Sequence, residues 1–154
     1  MRVTVLVVGR PRSAGLADAI HDYETRAARY WPLDVIEVKE ESARSVSTEI
    51  VREREGERLL NRMTSDSRVV ACDVGGDALD SKAFAGLLSK QRDDAQSISF
   101  VIGGAYGLHE RVRARAARRV SLAPWTLPHE LARLVLAEQL YRAGTIMRGE
   151  PYHK

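Results

Sequence analysis

Five short apolar runs, rich in β-branched residues, recur along the chain. They are Arg2–Val8, Leu33–Lys39, Arg68–Cys72, Ile98–Ile102 and Arg119–Leu122. Strands that are apolar on both faces must be covered on both faces, which a parallel sheet achieves with crossover helices. The segments between the runs read as those helices. Leu16, Ala19, Ile20, Tyr23, Ala27 and Tyr30 share one helical face before Pro32 stops the element. Val46–Met63 is a charged helix with a thin apolar face, and Gly56 inside it costs about 1 kcal/mol relative to Ala and is expected to mark a break. Asp73–Asp77 reads as a turn. Ser81 is expected to cap Lys82–Arg92. Glu110–Ala117 is a short helix, and Pro128 opens a last helix that runs to Met147. The expectation is an α/β fold, a single domain over residues 1–154, with a five-stranded, mostly parallel sheet flanked by helices.

Several classes are disfavoured. No run reaches the ~18 apolar residues of a membrane span. The opening run is too short for a signal peptide and is followed by Arg10-Pro11-Arg12, so it reads as a buried strand. A lone cysteine, Cys72, allows no internal disulfide and fits a reducing cytoplasm. No Cys/His cluster has metal-ligand spacing, so no metal is expected. There is no G-x-S-x-G, and Gly103-Gly104-Ala105-Tyr106-Gly107 lacks both the dinucleotide and the P-loop patterns. The net charge is only +3, but Arg111, Arg113, Arg115, Arg118 and Arg119 crowd one segment with only Glu110 beside them. That reads as a positive patch for an anionic partner. Arg44, Arg52, Arg54, Arg58 and Arg62 are instead interleaved with Glu49, Glu53, Glu55 and Glu57, the pattern of a solvated helix with internal pairs.

The chemistry concentrates in the last third. The strand Ile98–Ile102 runs into the turn of Gly103, Gly104 and Gly107. The strand Arg119–Leu122 runs into Ala123-Pro124-Trp125-Thr126-Leu127-Pro128. Strand ends opening into such loops are where α/β sheets bind ligands. The second loop is stiff, and its backbone groups are open to a ligand's polar edge. Alternatively it is a plain connector with Trp125 plugging the core. The last helix is apolar nearly all round, which predicts burial against the sheet on one side and a second subunit on the other, a homodimer through this helix. Within it, Glu138 and Arg142 have ion-pair spacing, while His129 and Arg133 are either structural or line a site. The tail Pro151-Tyr152-His153-Lys154 is either frayed or folded over a pocket. In the second case His153 is a candidate general base and Tyr152 a stacking surface.

These residues resemble a known family. The glycine turn after Phe100-Val101-Ile102, the helix start Thr126-Leu127-Pro128-His129-Glu130-Leu131, the segment Glu138–Ala143 and the ending Met147–Lys154 look like RlmH, a SPOUT-class methyltransferase family acting on N3 of a pseudouridine in 23S ribosomal RNA. The resemblance implies a SPOUT-type sheet with a C-terminal trefoil knot. It implies S-adenosylmethionine in the cleft, contacted by Cys72, Gly103 with Gly104, and Ala123, Pro124, Trp125, Thr126, Leu127 and Pro128. It implies a homodimer in which one subunit's tail completes the other's site, and ribosomal RNA within the assembled ribosome as partner. On that reading His153, Tyr152 and Arg142 serve the chemistry, and Arg111, Arg113, Arg115, Arg118 and Arg119 hold phosphates. Two other readings stand beside it: a methyltransferase of the same fold acting on a small nucleoside-like molecule, and a non-catalytic RNA-binding protein.

Overall fold

The computed structural model describes residues 1–154. Five strands and five helices alternate as β1 (Val3–Val8), α1 (Ala14–Ala27), β2 (Leu33–Val38), α2 (Thr48–Leu60), β3 (Ser67–Ala78), α3 (Ser81–Asp93), β4 (Ser97–Ile102), α4 (Glu110–Arg115), β5 (Arg118–Ser121) and α5 (His129–Met147). The sheet order is β2-β1-β4-β3-β5, and every neighbouring pair is parallel.

Residue alternation along the strands divides the interior. Val3, Val5 and Val7 of β1 and Ile98, Phe100 and Ile102 of β4 point to one face, which α1, α3 and α5 cover. Leu6, Val8 and Val101 point to the other, which α2 and α4 cover. The core expected from runs apolar on both faces is therefore present. On the first face, the buried Trp31 donates its indole N–H to the Leu140 carbonyl at 2.9 Å, so the turn after α1 is tied to the middle of α5.

The structure corrects four details. Gly56 does not break α2. The helix runs through it, because the missing side chain makes room for α4: a Cβ there would lie 2.9 Å from the Cβ of His109. Only one of the expected pairs inside α2 forms, Arg52 with Glu49, and the helix is not wholly solvated. Arg54 and Arg58 reach out to Glu41 in the loop after β2, and Glu55 is buried. The cap of α3 is Asp80, whose carboxylate accepts from Ala83 N–H at 2.7 Å. Ser81 lies inside the helix, and its hydroxyl donates to Gln139 at 2.9 Å. Finally, Asp73–Asp77 is not a turn that ends β3. The strand continues to Ala78, pairing Val120 of β5 with Cys72 and again with Asp77, so residues 73–76 form a bulge.

Candidate cofactor cavity and C-terminal cluster

Cys72 of β3 is level with Ile102 of β4 and Val120 of β5. At this level β4 ends, β3 bulges and β5 approaches its own end, so their carboxyl-end loops lie side by side. A cavity of ≈ 360 Å³ opens there, within the ~300–1,000 Å³ usual for small-molecule sites.

One wall is the glycine turn. Gly107 has φ +81°, in the left-handed region, and its N–H donates to the Gly104 carbonyl at 3.1 Å. Gly103 packs against it so closely that a Cβ would lie 2.7 Å from the Gly107 carbonyl carbon. The turn is thus narrow for a steric reason. The opposite wall is the loop after β5. Ser121 Oγ donates to the Ala123 carbonyl at 2.7 Å and fixes the loop's start. Beyond it, the backbone N–H groups of Ala123, Trp125, Thr126 and Leu127 have no acceptor within the protein. A row of unpaired backbone donors on an apolar wall suits the polar edge of a planar ligand.

Of the residues expected to meet a cofactor, Cys72, Gly103, Gly104, Ala123, Trp125, Thr126 and Leu127 line this one cavity, whereas Pro124 and Pro128 stand outside its wall. Trp125 is not a core plug: it is 76% exposed, at the cavity's edge. Burial pushes the Cys72 thiol up to about 12, so it stays protonated and lines the wall without acting as a nucleophile. Asp73, Val74 and Tyr106, to which sequence reasoning gave no cofactor role, also line the cavity, as does His129, one of the two residues expected either to be structural or to line a site. The bulge in β3 brings in the first two, and no local sequence signal announces that bulge.

The tail is ordered. Glu150 N–H donates to the Thr145 carbonyl at 2.9 Å, and Tyr30 donates its hydroxyl to the Glu150 carboxylate. Tyr152 donates to Glu138 Oε1 at 3.0 Å and packs on Tyr141 with ring centroids 4.6 Å apart. Arg142 makes the i, i+4 pair with Glu138 at 2.6 Å, lies 4.6 Å over the Tyr152 ring, and has Nη1 3.4 Å from His153 Nδ1. Burial, with hydrogen bonds to Tyr23 and Glu138, holds the Tyr152 phenol well above its ordinary range. It is a proton donor and not a base. The Glu138 partner likewise keeps the Arg142 guanidinium charged. The structure thus brings Arg142, Tyr152 and His153 together, but not at the cavity of the same chain. The cavity reaches Ala132 on α5, and Arg142 stands ten residues further on, about 15 Å along a helix.

The arginine patch is smaller than its sequence suggests. Arg118 pairs with Asp77 at 3.0 Å, Arg119 with Asp73 at 3.3 Å and Arg113 with Glu110 at 3.0 Å. The β3 bulge supplies two of those carboxylates. Arg111 and Arg115 remain exposed without a carboxylate partner. On α5, Arg133 is structural, gripping Glu24 and Glu37 at 2.7 Å each.

A parallel sheet with a cavity between two loops at its carboxyl end is the architecture of an α/β protein that binds a ligand there. The family model described as "Predicted SPOUT methyltransferase" matches residues 1–153. A curated relative from Gemmatimonas aurantiaca, "Ribosomal RNA large subunit methyltransferase H", is 68% identical over 154 residues, covering 100% of both chains. A relative of the same name from Syntrophotalea carbinolica is 41% identical, covering 99% of each. Among solved structures, a probable methyltransferase from Bordetella pertussis Tohama I aligns with TM-score 0.56 at 18% identity, covering 92% of this chain and 95% of that one. A probable methylase family protein from Haemophilus influenzae aligns with TM-score 0.55 at 13% identity, covering 99% and 70%. These two show the fold alone. The chain belongs to the SPOUT methyltransferases and, within them, to the ribosomal RNA large subunit methyltransferase H family. Membership makes it an enzyme, a methyltransferase of ribosomal RNA.

Proposed function

We propose that residues 1–154 act as one domain that methylates N3 of a pseudouridine in 23S ribosomal RNA on the assembled ribosome, in the cytoplasm, as a homodimer. The observation that carries the cofactor assignment is the row of unpaired N–H groups at Ala123, Trp125, Thr126 and Leu127 on the cavity wall. These donors, with Gly103 and Cys72 opposite, fit S-adenosylmethionine, which when bound supplies an electrophilic methyl group on a positively charged sulfur. The protein's task is then chiefly alignment and exclusion of water. A knotted C-terminal third is supported by the match to the SPOUT methyltransferase family over residues 1–153.

Arg142, Tyr152 and His153 stand too far along α5 to serve their own chain's cavity, which supports a site completed by the second copy. The half-exposed outer face of α5, with Leu131, Leu134 and Val135, is the surface available for that pairing. Within the cluster, Arg142 donating to Nδ1 of His153 leaves the imidazole proton on Nε2. In that tautomer His153 is not the base; it offers a donor to a uracil carbonyl, where negative charge develops as the N3 proton passes to water, and Arg142 reinforces it. Tyr152 packs against the base. Arg111 and Arg115 are the free cations for phosphates. Their joint loss is expected to flatten the salt slope of RNA binding by about 0.7–0.9 per contact.

The test supplies labelled S-adenosylmethionine to the protein with ribosomes lacking the modification, free ribosomal RNA or free pseudouridine. Label in the ribosome alone is expected. Label in the free nucleoside supports the small-molecule reading, which the carboxylate pairing of Arg113, Arg118 and Arg119 favours. RNA binding without any label transfer supports a non-catalytic binder.

A further inference from the structure

α2 is polar over most of its surface, yet Glu55 within it is only 2% exposed. Its Oε1 accepts from the Glu41 N–H at 3.0 Å, while Oε2 is buried without any partner. Both oxygens press on the glycine turn. A Cβ on Gly104 would lie 2.6 Å from Oε2, 3.1 Å from Oε1 and 3.1 Å from Val8 Cγ1. Gly104 in turn closes the loop by accepting from Gly107 N–H, and its other side lines the cavity.

We infer that Glu55 is a positioning residue of the methyl-transfer site: its carboxyl group, acting from beneath, sets the place of Gly104 and hence the shape of the cavity wall that meets the cofactor. This rests on the reading that the cavity holds S-adenosylmethionine.

The carboxyl's surroundings say which form does this. Glu40 and Glu41 face it from the loop after β2, with Glu40 bound to Arg12 at 2.7 Å. Arg58 faces it from α2, already bonded to Glu41 and to the Lys39 carbonyl. His109, the cap of α4, packs on the adjoining Gly56. The strand β1 contributes only Val8, and the glycine turn carries no ionisable side chain except the exposed Tyr106. Burial above all, joined by the charges of Glu40 and Glu41 and opposed by the Glu41 N–H and Arg58, holds the Glu55 carboxyl above its ordinary range. The neutral acid is the form that fits. Ionisation places a charge against Gly104 where Oε2 has no donor.

The experiment measures the dissociation constant of S-adenosylmethionine and the melting temperature from pH 5 to 9. It uses the wild type, Glu55→Gln, Glu55→Ala, Gly104→Ala and the double variant Glu55→Ala/Gly104→Ala. Glu55→Gln, neutral and of the same shape, is expected to match the wild type at low pH and to hold its affinity as pH rises, while the wild type weakens about fivefold or more. Gly104→Ala is expected to weaken binding about tenfold, and Glu55→Ala on that background to restore part of the loss, a non-additivity between touching groups. Parallel pH profiles for wild type and Glu55→Gln, or strict additivity of the two Ala changes, overturn the role of Glu55. A wild type that binds no S-adenosylmethionine at any pH overturns the cofactor reading instead. The melting temperatures of the same five proteins then decide the Glu55–Gly104 contact by the same additivity criterion.

Discussion

The two faces of the sheet are built differently. The face under α1, α3 and α5 joins 17 buried apolar residues in one cluster, whereas the face under α2 and α4 joins 9. On the larger face, Trp31 is tied to Leu140 and Arg133 to Glu24 and Glu37, and Gln91 of α3 alone is buried with its side-chain amide unpaired. On the smaller face the interior itself is polar. Ser67 and Ser99 share a hydroxyl hydrogen bond of 2.7 Å, and Glu55 leaves one oxygen unpaired. The difference teaches where the molecule gives up packing for position. The thinner face is the one that lies under the glycine turn, and local rule-breaking of this kind is expected at functional sites.

The largest test of that contrast is a pair of cavity-forming changes. Leu140→Ala on the larger face is expected to cost about 3–5 kcal/mol, and Leu59→Ala under the smaller face about 2–3 kcal/mol, because a helix held by fewer neighbours relaxes into the space. Urea unfolding measures both, and equal losses break the comparison. Next comes Arg133→Ala, expected to cost about 3 kcal/mol by leaving Glu24 and Glu37 facing each other without their cation. Burial works against the Arg133 charge, and those two carboxylates outweigh it. A loss below 1 kcal/mol in the same urea experiment would mean that the larger face does not depend on this tie. Smaller again are the helix caps. Ser47→Ala on α2 and Asp80→Ala on α3 each remove a side-chain acceptor from a first-turn N–H, at about 1 kcal/mol apiece. Here the faces should not differ, and thermal melting checks it.

The smallest effect is a pH signature of the smaller face alone. Arg58 holds Glu41 below its ordinary value of 4.5, so its stabilisation is complete above that value and is lost as pH falls through the lowered one. Glu55 lies above the same ordinary value, so its stabilisation is complete below it and is lost as pH rises through the raised one. Protection of α2 amides against hydrogen exchange, corrected for intrinsic rates, should peak near the ordinary carboxylate range. Protection of α5 amides should show no such peak.

The sheet was legible because its inner strands, β1, β4 and the first half of β3, are apolar on both faces, a pattern with few other solutions. The cavity's two loops were legible because Gly103, Gly104 and Gly107, and the prolines around Trp125, follow directly on strand ends. What stayed hidden depended on partners distant in sequence. Asp73 and Asp77 neutralise two arginines only because β3 bulges and runs on beside β5. Gly56 reads as a weakness in α2 until His109 is placed against it. Glu55 reads as one more surface charge in a run of charges until the glycine turn lands on it. In each case a local propensity was overruled by a contact that no local pattern encodes.

The chain's two tryptophans divide along the same lines. Trp31 is locked under α5 and Trp125 is exposed at the cavity edge. Optically they form two separate channels. Emission from Trp31, blue-shifted and shielded from soluble quenchers, follows the unfolding of the larger face. Emission from Trp125, red-shifted and open to quenching, follows what enters or covers the cavity. A single unlabelled sample therefore reports folding and occupancy at different wavelengths, and replacing either indole with phenylalanine isolates the other signal.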